Sequence, residues 1–428
     1  MAAWVLLLLL FFWLATGVWI GLALLGVGYV ALEFFTNAPA LGNVASALWT
    51  SVSGWSLAAL PLFIWMGEIL YRSGLSGLLF SAFSPWLGRL PGGLLHVNVL
   101  ASTLLAAVIG SSAATTATVG RIALPELRKR GYPEDMALGS LAGAGTLGFL
   151  IPPSVVMIVY GVMAEVSVAR LFIAGVVPGL LLALLFMLTL MGWALVRRDL
   201  PREEAVPLAV RLRRSLGVVP VLLLIGAVLG SIYLGLATPT EAAAVGVAWA
   251  LLLAFLRREL SWATFWEGLH AAVRTTSMVG LILAGAGVLG LAMGFLGIPR
   301  ALAEWVAEAG LGPYGFLLLL TLVYLVLGMF LDGISMVVLT VSVALPAAQA
   351  VGLDPLWFGV YLVLMVELAQ ITPPVGFNLF ILQGLSGRSI FYVARAALPF
   401  LGALLLAVVL LVLFPGLALW LPNTMTRG

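Results

Sequence analysis

The sequence predicts an all-α integral membrane protein built as an inverted-topology repeat, with two re-entrant hairpins and two broken helices. Three observations carry that prediction. Of 428 residues, 63% are hydrophobic and only 9% charged, with a mean hydropathy of +1.20. Two Pro-Pro pairs interrupt apolar sequence in the same way, in "GTLGFLIPPSVVM" at 145–157 and "LAQITPPVGFNLF" at 368–380. Basic residues gather at the ends of the apolar runs, in a pattern that reports which way each run crosses.

Composition sets the class. Soluble domains carry about 25% charged residues, so this chain cannot cover a water-facing surface. Apolar runs near or above the roughly 18-residue threshold for a span lie at 171–196, 217–236, 239–256, 278–298, 313–331 and 396–420. The opening "MAAWVLLLLLFFWLATG" lacks a basic n-region and reads as a retained helix rather than a cleaved signal. The residue types also exclude chemistry. There is no cysteine for a disulfide or thiolate. His96 and His270 stand far apart and read as polar residues near helix ends, so a His-based metal site is not expected. The Gly-rich runs 139–148 and 280–297 are followed by no Gly-Lys-Ser/Thr, so no phosphate loop is present. The net charge of +3 is small and clustered, which speaks of topology and not of nucleic acid. Lys129 is the only lysine, and this Arg bias with abundant Ala, Leu and Gly suggests a GC-rich prokaryotic source.

The repeat is found by aligning Pro152 with Pro373, an offset of 221 residues. With no gap, "ALP" at 123–125 then meets "ALP" at 344–346. Gly131 meets Gly352, Leu141 meets Leu362, Leu147 meets Leu368 and Pro178 meets Pro399. "LAT" at 14–16 meets "LAT" at 236–238 one residue out of step. Two units follow, 1–196 and 216–428, joined by the polar, cytoplasmic linker "RRDLPREEAVPLAVRLRRS" at 197–215.

The charges orient the units. Arg72 and Arg89 precede, and Arg121 to Arg130 close, a segment that rises to "GSSAATT" and returns. It reads as a re-entrant hairpin over about 92–130 that enters from the cytoplasm. The next segment, about 136–165, crosses outward with its break at Pro152-Pro153, and 170–197 returns. The runs 217–236, 239–256 and 274–298 follow. The second hairpin, about 313–350, has acidic or neutral flanks (Glu304, Glu308, Asp354) and enters from outside. The second broken helix, about 354–386, crosses inward to Arg388 and Arg395. This threading leaves only Arg170, Arg300 and Arg427 of the 20 basic residues off the cytoplasmic side. Opposite orientation of two copies is the layout of many secondary transporters.

A broken helix offers two kinds of end at mid-membrane. Freed carbonyls suit a cation, and the N–H groups of the second half favour an anion. Proline fits the first position of a helix, so each pair is expected to end one half-helix and start the next. Gly145, Thr146, Gly148 and Ser154 flank the first break, and Gln370, Thr372, Gly376 and Asn378 the second. Their hydroxyl, amide and carbonyl oxygens suit Na⁺. The hairpin tips align "GSSAATTATVG" (110–120) with "LDGISMVVLTV" (331–341), which sets Ser111 opposite Asp332. An acid in an apolar neighbourhood is a functional candidate by default, so Asp332 is the first choice for a charged cation ligand and Glu367 the second. Ser, Thr and Gly also serve close helix packing, which competes for Thr115 to Thr118. Glu33, Glu68 and Glu165 read as helix-end residues. Trp49, Trp55, Trp86 and Trp357 read as interfacial anchors.

Together, "GSSAATTATVG", "GTLGFLIPPS", "ATPTEAAAVG", "GMFLDGISMVVLTV" and "ELAQITPPVGFNLF" resemble the large membrane subunit of the tripartite ATP-independent periplasmic (TRAP) transporters, from about residue 14 to about 415. The resemblance implies scaffold helices around a mobile domain that works as an elevator. It implies Na⁺-driven symport of an organic acid across the bacterial inner membrane. It also implies two partners, a periplasmic solute-binding protein and a small four-helix membrane subunit, here expected as a separate chain. Matched by motif, the ion candidates are Ser111, Gly145, Thr146, Pro152, Asp332, Gly333, Thr372 and Gly376. The substrate candidates are Ser111, Ser112, Thr115, Ser154 and Asn378. One departure is "TVSVALP" at 340–346, where Ser342 replaces a frequent proline and a local change in helix geometry is expected. The alternatives are a stand-alone sodium/carboxylate symporter needing no binding protein, and a scaffold or channel subunit without coupled transport.

Overall fold

The computed structural model of the chain describes residues 2–197, 200–201, 206–373 and 376–425. The described residues form α-helices joined by short turns. The first unit opens with α1 (Ala2–Ala15), α2 (Ile20–Phe35), α3 (Ala40–Val52), α4 (Ala59–Arg72) and α5 (Leu75–Leu87). Its hairpin is α6 (Leu95–Ile109) and α7 (Ser112–Lys129). The broken helix is α8 (Glu134–Leu150) and α9 (Val155–Met163), and α10 (Val168–Val196) closes the unit. After α11 (Leu208–Ser215) come α12 (Val219–Tyr233), α13 (Pro239–Leu256), α14 (Trp262–Phe295) and α15 (Ile298–Glu308). Then come the hairpin α16 (Pro313–Leu327) and α17 (Gly333–Ala350), the broken pair α18 (Pro355–Gln370) and α19 (Phe377–Ser386), and finally α20 (Ile390–Leu413) and α21 (Gly416–Asn423). Helices α7 and α17 have the same 18-residue length, and Ser112 and Gly333, which start them, lie one repeat offset apart.

Seven helices among the described residues are long and apolar enough to span a membrane, or eight if the bent pair Ala40–Val52 and Trp55–Arg72 is one span. The chain is an all-helical, multi-span membrane protein. Helices α8 and α18 occupy its centre. Every residue from Met136 to Leu150 and from Leu356 to Gln370 is buried, as expected of helices apolar on all sides. Lipid tails are as apolar as leucine, so close packing and hydrogen bonds, not the hydrophobic effect, hold such helices together. Gly139 and Gly143, one turn apart on α8, meet the Ala396 carbonyl and the Phe400 side chain of α20 so closely that a Cβ would stand 2.2 and 2.7 Å from them. Outer helices such as α12 instead expose Leu222 and Leu223.

Ion pairs collect at one end of the bundle. There Arg72 meets Glu267 at 2.5 Å, Arg388 meets Glu134 at 2.6 Å and Arg197 meets Asp135 at 2.8 Å. At this arginine-rich end the Leu94 N–H donates to the Tyr132 hydroxyl at 3.1 Å, so α6 enters and α7 leaves side by side. At the far end of α9 the Tyr160 hydroxyl donates to the Pro355 carbonyl at 2.5 Å, where α18 begins. The contacts Tyr160–Pro355 and Arg388–Glu134 together make the two broken helices antiparallel.

Several expectations are corrected. Pro152 and Pro153 do not start the second half-helix. They fill the turn between the halves, and Ser154 caps α9 by accepting from the Met157 N–H at 3.3 Å, because a hydroxyl satisfies a first-turn donor that proline leaves open. Trp357 is not an interfacial anchor: it is 3% exposed, its ring stacks on Tyr361 and its indole N–H donates to the Leu411 carbonyl. Trp49, Trp55 and Trp86 are exposed. Helix α11 forms within the linker, while residues 198–199 and 202–205 lie outside the described ones. Helix α14 starts at Trp262, so His270 sits inside it and not near an end. Helix α17 runs unbroken past Ser342. Arg427 lies outside the described residues.

Candidate functional site

The site forms where hairpin tips and helix breaks touch. Gly110 ends α6 in the left-handed conformation (φ 65°) that favours glycine, and its carbonyl accepts from the Val155 N–H at 3.4 Å. Ser111 then caps α7, accepting from Ala114 at 3.4 Å. The peptide between Ser111 and Ser112 lies flat on α8 at Gly148, where a Cβ would stand 2.6 Å from the Ser111 carbonyl and 2.7 Å from the Ser112 nitrogen. Only glycine permits that approach.

A helix of the second half completes this corner. Ser112 donates to the Asn378 side-chain oxygen at 3.0 Å, and the Asn378 amide donates to the Ala142 carbonyl at 3.4 Å. Gly145 also belongs here, since a Cβ on it would stand 1.8 Å from the Thr116 hydroxyl and 3.3 Å from the Asn378 amide nitrogen. The hydroxyls of Thr115 and Thr116 are buried without a hydrogen-bond partner. Thr146 donates to the Gly143 carbonyl at 2.8 Å. The structure thus gathers Ser111, Ser112, Gly145, Ser154 and Asn378 around the first break, where the first turns of α7 and α19 meet and the Gly110 turn touches the start of α9.

The second group is built on α17 and α18. Asp332 caps α17, taking the Ile334 N–H at 3.1 Å and the Ser335 hydroxyl, so its carboxylate is held by its own helix, as Ser111 is in the first hairpin. Gly333 packs on α18 and α8, where a Cβ would stand 2.4 Å from Val366 and 3.1 Å from Phe149. Glu367 is fully buried and neither oxygen has a hydrogen-bond partner; the Leu150 backbone approaches it at a geometry short of a full hydrogen bond. Beyond Gln370 the chain turns. Thr372 returns its hydroxyl to the Leu368 carbonyl at 2.6 Å, and a Cβ on Gly376 would stand 2.6 and 3.1 Å from the Gln370 and Thr372 carbonyls. That is a carbonyl-lined turn two residues before Asn378. Pro374, half of the second Pro-Pro pair, lies outside the described residues.

Phe149 and Leu150, at the end of α8, bridge the two groups. The Ala142 carbonyl and Phe149 are parts of the site that sequence reading passes over. Thr116, weighed there as a packing residue, is singled out only by Gly145 facing it.

The Tripartite ATP-independent periplasmic transporter, DctM component, matches residues 7–417. The chain belongs to the DctM family. Two curated relatives support the assignment across nearly the whole length. The C4-dicarboxylate TRAP transporter large permease protein DctM of Pseudomonas aeruginosa is 37% identical over 382 residues, covering 89% of each chain. Its namesake in Vibrio cholerae is 34% identical over 421 residues, covering 93% of each. Among solved structures, the Alcanivorax borkumensis YdaH transporter matches 94% of this chain and 98% of its own at a TM-score of 0.67 and 15% identity, a likeness of fold. As a DctM component the protein is a transporter permease and not an enzyme, and it is one part of a tripartite system.

Proposed function

We propose that this DctM chain imports an organic acid across the bacterial inner membrane by sodium symport, taking its substrate from a periplasmic binding protein and working beside a small membrane subunit. The observation that carries the reading is the corner at Ser112 and Asn378. The N-terminal turns of α7 and α19 meet there, and helix N-termini favour a carboxylate. The carbonyls of Gln370 and Thr372 at Gly376 are oxygen donors of the kind a hard monovalent cation takes, and they stand one turn away. Thr115 and Thr116 add hydroxyls with nothing else to bind. A cation at the carbonyl turn would fix the start of α19, and with it the Asn378 that faces the anion. Binding of one ion would thereby improve the site for the other. Both curated relatives are named for C4-dicarboxylates, which favours a carboxylate cargo here.

In this reading the two units are inverted repeats, 1–196 and 216–428, about the linker 197–215. The hairpins 92–130 and 313–350 are re-entrant from opposite sides, and the central bundle moves as an elevator. The antiparallel broken helices and the shared length of α7 and α17 support it. Asp332 serves as both helix cap and charged neighbour of the cation. The test is uptake into proteoliposomes holding the large and small subunits, with and without a sodium gradient and the binding protein. Asp332→Ala should abolish sodium-dependent uptake in a folded protein. Undiminished uptake in that variant sinks the ion assignment, and full uptake without the binding protein favours a stand-alone symporter.

A further inference from the structure

Helix α11 stands at the head of a candidate span that runs on through α12 (Leu208–Tyr233), which sets it at a membrane surface. Its sequence, LAVRLRRS, mixes Arg211, Arg213 and Arg214 with Leu208, Val210 and Leu212, all three of which are exposed. The helix is pinned to the end of α5. Trp86 donates its indole N–H to Ser215 at 2.8 Å, and the Arg211 guanidinium lies 5.8 Å from the centre of the Trp86 ring. Arg213 and Arg214 have no carboxylate partner among the described residues.

Beside it, α5, α7 and α11 line an open cavity of about 220 Å³. Phe80 and Ile122 give it an apolar wall, and Ser81, Glu126, Arg130 and Arg214 a polar one. Glu126 is already paired with Arg130 at 2.7 Å, so among the described residues Arg214 brings positive charge to the mouth without a carboxylate partner, with Arg211 and Arg213 next to it. The exposed leucines of α11 lie beside this charge.

We propose that this cavity holds the headgroup of an anionic phospholipid, its phosphodiester on Arg214 and its acyl chains along Phe80, Ile122 and the apolar residues of α11. Charge selects the lipid. A zwitterionic headgroup brings no net negative charge to these arginines, and basic residues beside an apolar helix face are what anionic bilayers attract. A soluble phosphate would satisfy Arg214 but leave the apolar wall and the leucines uncovered. The site joins the hairpin helix α7 to the outer helix α5, so the lipid would sit in the seam between them.

Native mass spectrometry of the full chain in detergent, titrated with phosphatidylglycerol, phosphatidylcholine or inorganic phosphate, tests the proposal. Phosphatidylglycerol should be retained at least fivefold over phosphatidylcholine, and excess inorganic phosphate should not displace it. The double variant Arg213→Gln/Arg214→Gln should bring the ratio to about one without lowering the melting temperature. Ser81→Trp, which fills the cavity and keeps every arginine, should do the same. Equal retention of the two lipids by the wild type overturns the proposal. So does a preference that survives Ser81→Trp, which would make the attraction diffuse, or displacement by phosphate, which would make the site one for a soluble anion.

Discussion

The Ser112 hydroxyl donates to the Asn378 side-chain oxygen across 3.0 Å, between residues 266 positions apart in the chain. Both side chains are buried. Asn378 in turn reaches the Ala142 carbonyl, so one amide ties the first hairpin, the first broken helix and the second.

Removing that amide should be felt as stability and as function. Asn378→Ala leaves the Ser112 hydroxyl buried without its acceptor, at a cost of about 1–3 kcal/mol. A double-mutant cycle with Ser112→Ala, followed by thermal unfolding in detergent, should give a coupling of about 1 kcal/mol. Additive effects would show that the two residues do not act together. Uptake by Asn378→Ala should fall at least tenfold.

Gly148 allows a second test. The atoms that would meet its Cβ belong to the Ser111–Ser112 backbone and cannot rotate aside. Gly148→Ala should therefore push the hairpin tip off α8 and abolish uptake, at a stability cost of about 1–3 kcal/mol. Gly280→Ala, with open space around it, is the control and should leave uptake intact. Wild-type transport by Gly148→Ala would disprove the contact.

Asp332 combines two roles that substitution can separate. Asparagine caps helices as well as aspartate does, so Asp332→Asn should keep the melting temperature within a few degrees while losing sodium dependence. Asp332→Ala should lose the cap as well, about 1 kcal/mol. If Asp332→Asn transports with unchanged sodium dependence, the carboxylate is a cap only.

At the arginine-rich end, Glu134 accepts from Arg388 at 2.8 and 2.6 Å and also from Arg128, which itself donates to the Ser386 carbonyl. The cluster fastens α7, α8 and the α19–α20 turn together. Glu134→Gln should lower stability by about 1 kcal/mol at low salt, less at high salt, since exposed pairs are screened. A salt-independent loss in thermal unfolding would point to packing instead.

The parts of the fold legible in the sequence are those written as residue types that a membrane tolerates poorly. Pro152, Pro153 and the recurrence at the same offset located both breaks, and the hairpin tip at Asp332 was visible as an acid among apolar neighbours. Contacts between distant segments left no such mark. Nothing in the sequence says that Thr116 faces Gly145 or that Asn378 meets Ser112, because a buried hydroxyl and a packing hydroxyl read alike. Trp357 was misplaced for the same reason: indole suits an interface, yet here the Leu411 carbonyl satisfies its N–H inside the bundle. Helix α9 starts differently from expectation because capping by Ser154 outweighs the preference of proline for a first helical position.

The Leu94–Tyr132 hydrogen bond that closes the base of the first hairpin bears on how the protein is made. Arg121, Arg128, Lys129 and Arg130 all lie in the returning limb toward that base, and the tip carries only small and hydroxyl side chains. In the proposed re-entrant arrangement such a loop would enter the bilayer tip first, with none of its charges taken to the centre, where each would add roughly 2.5–3.5 kcal/mol to insertion. Its seating would then follow the arrival of α8, whose Gly148 receives the tip.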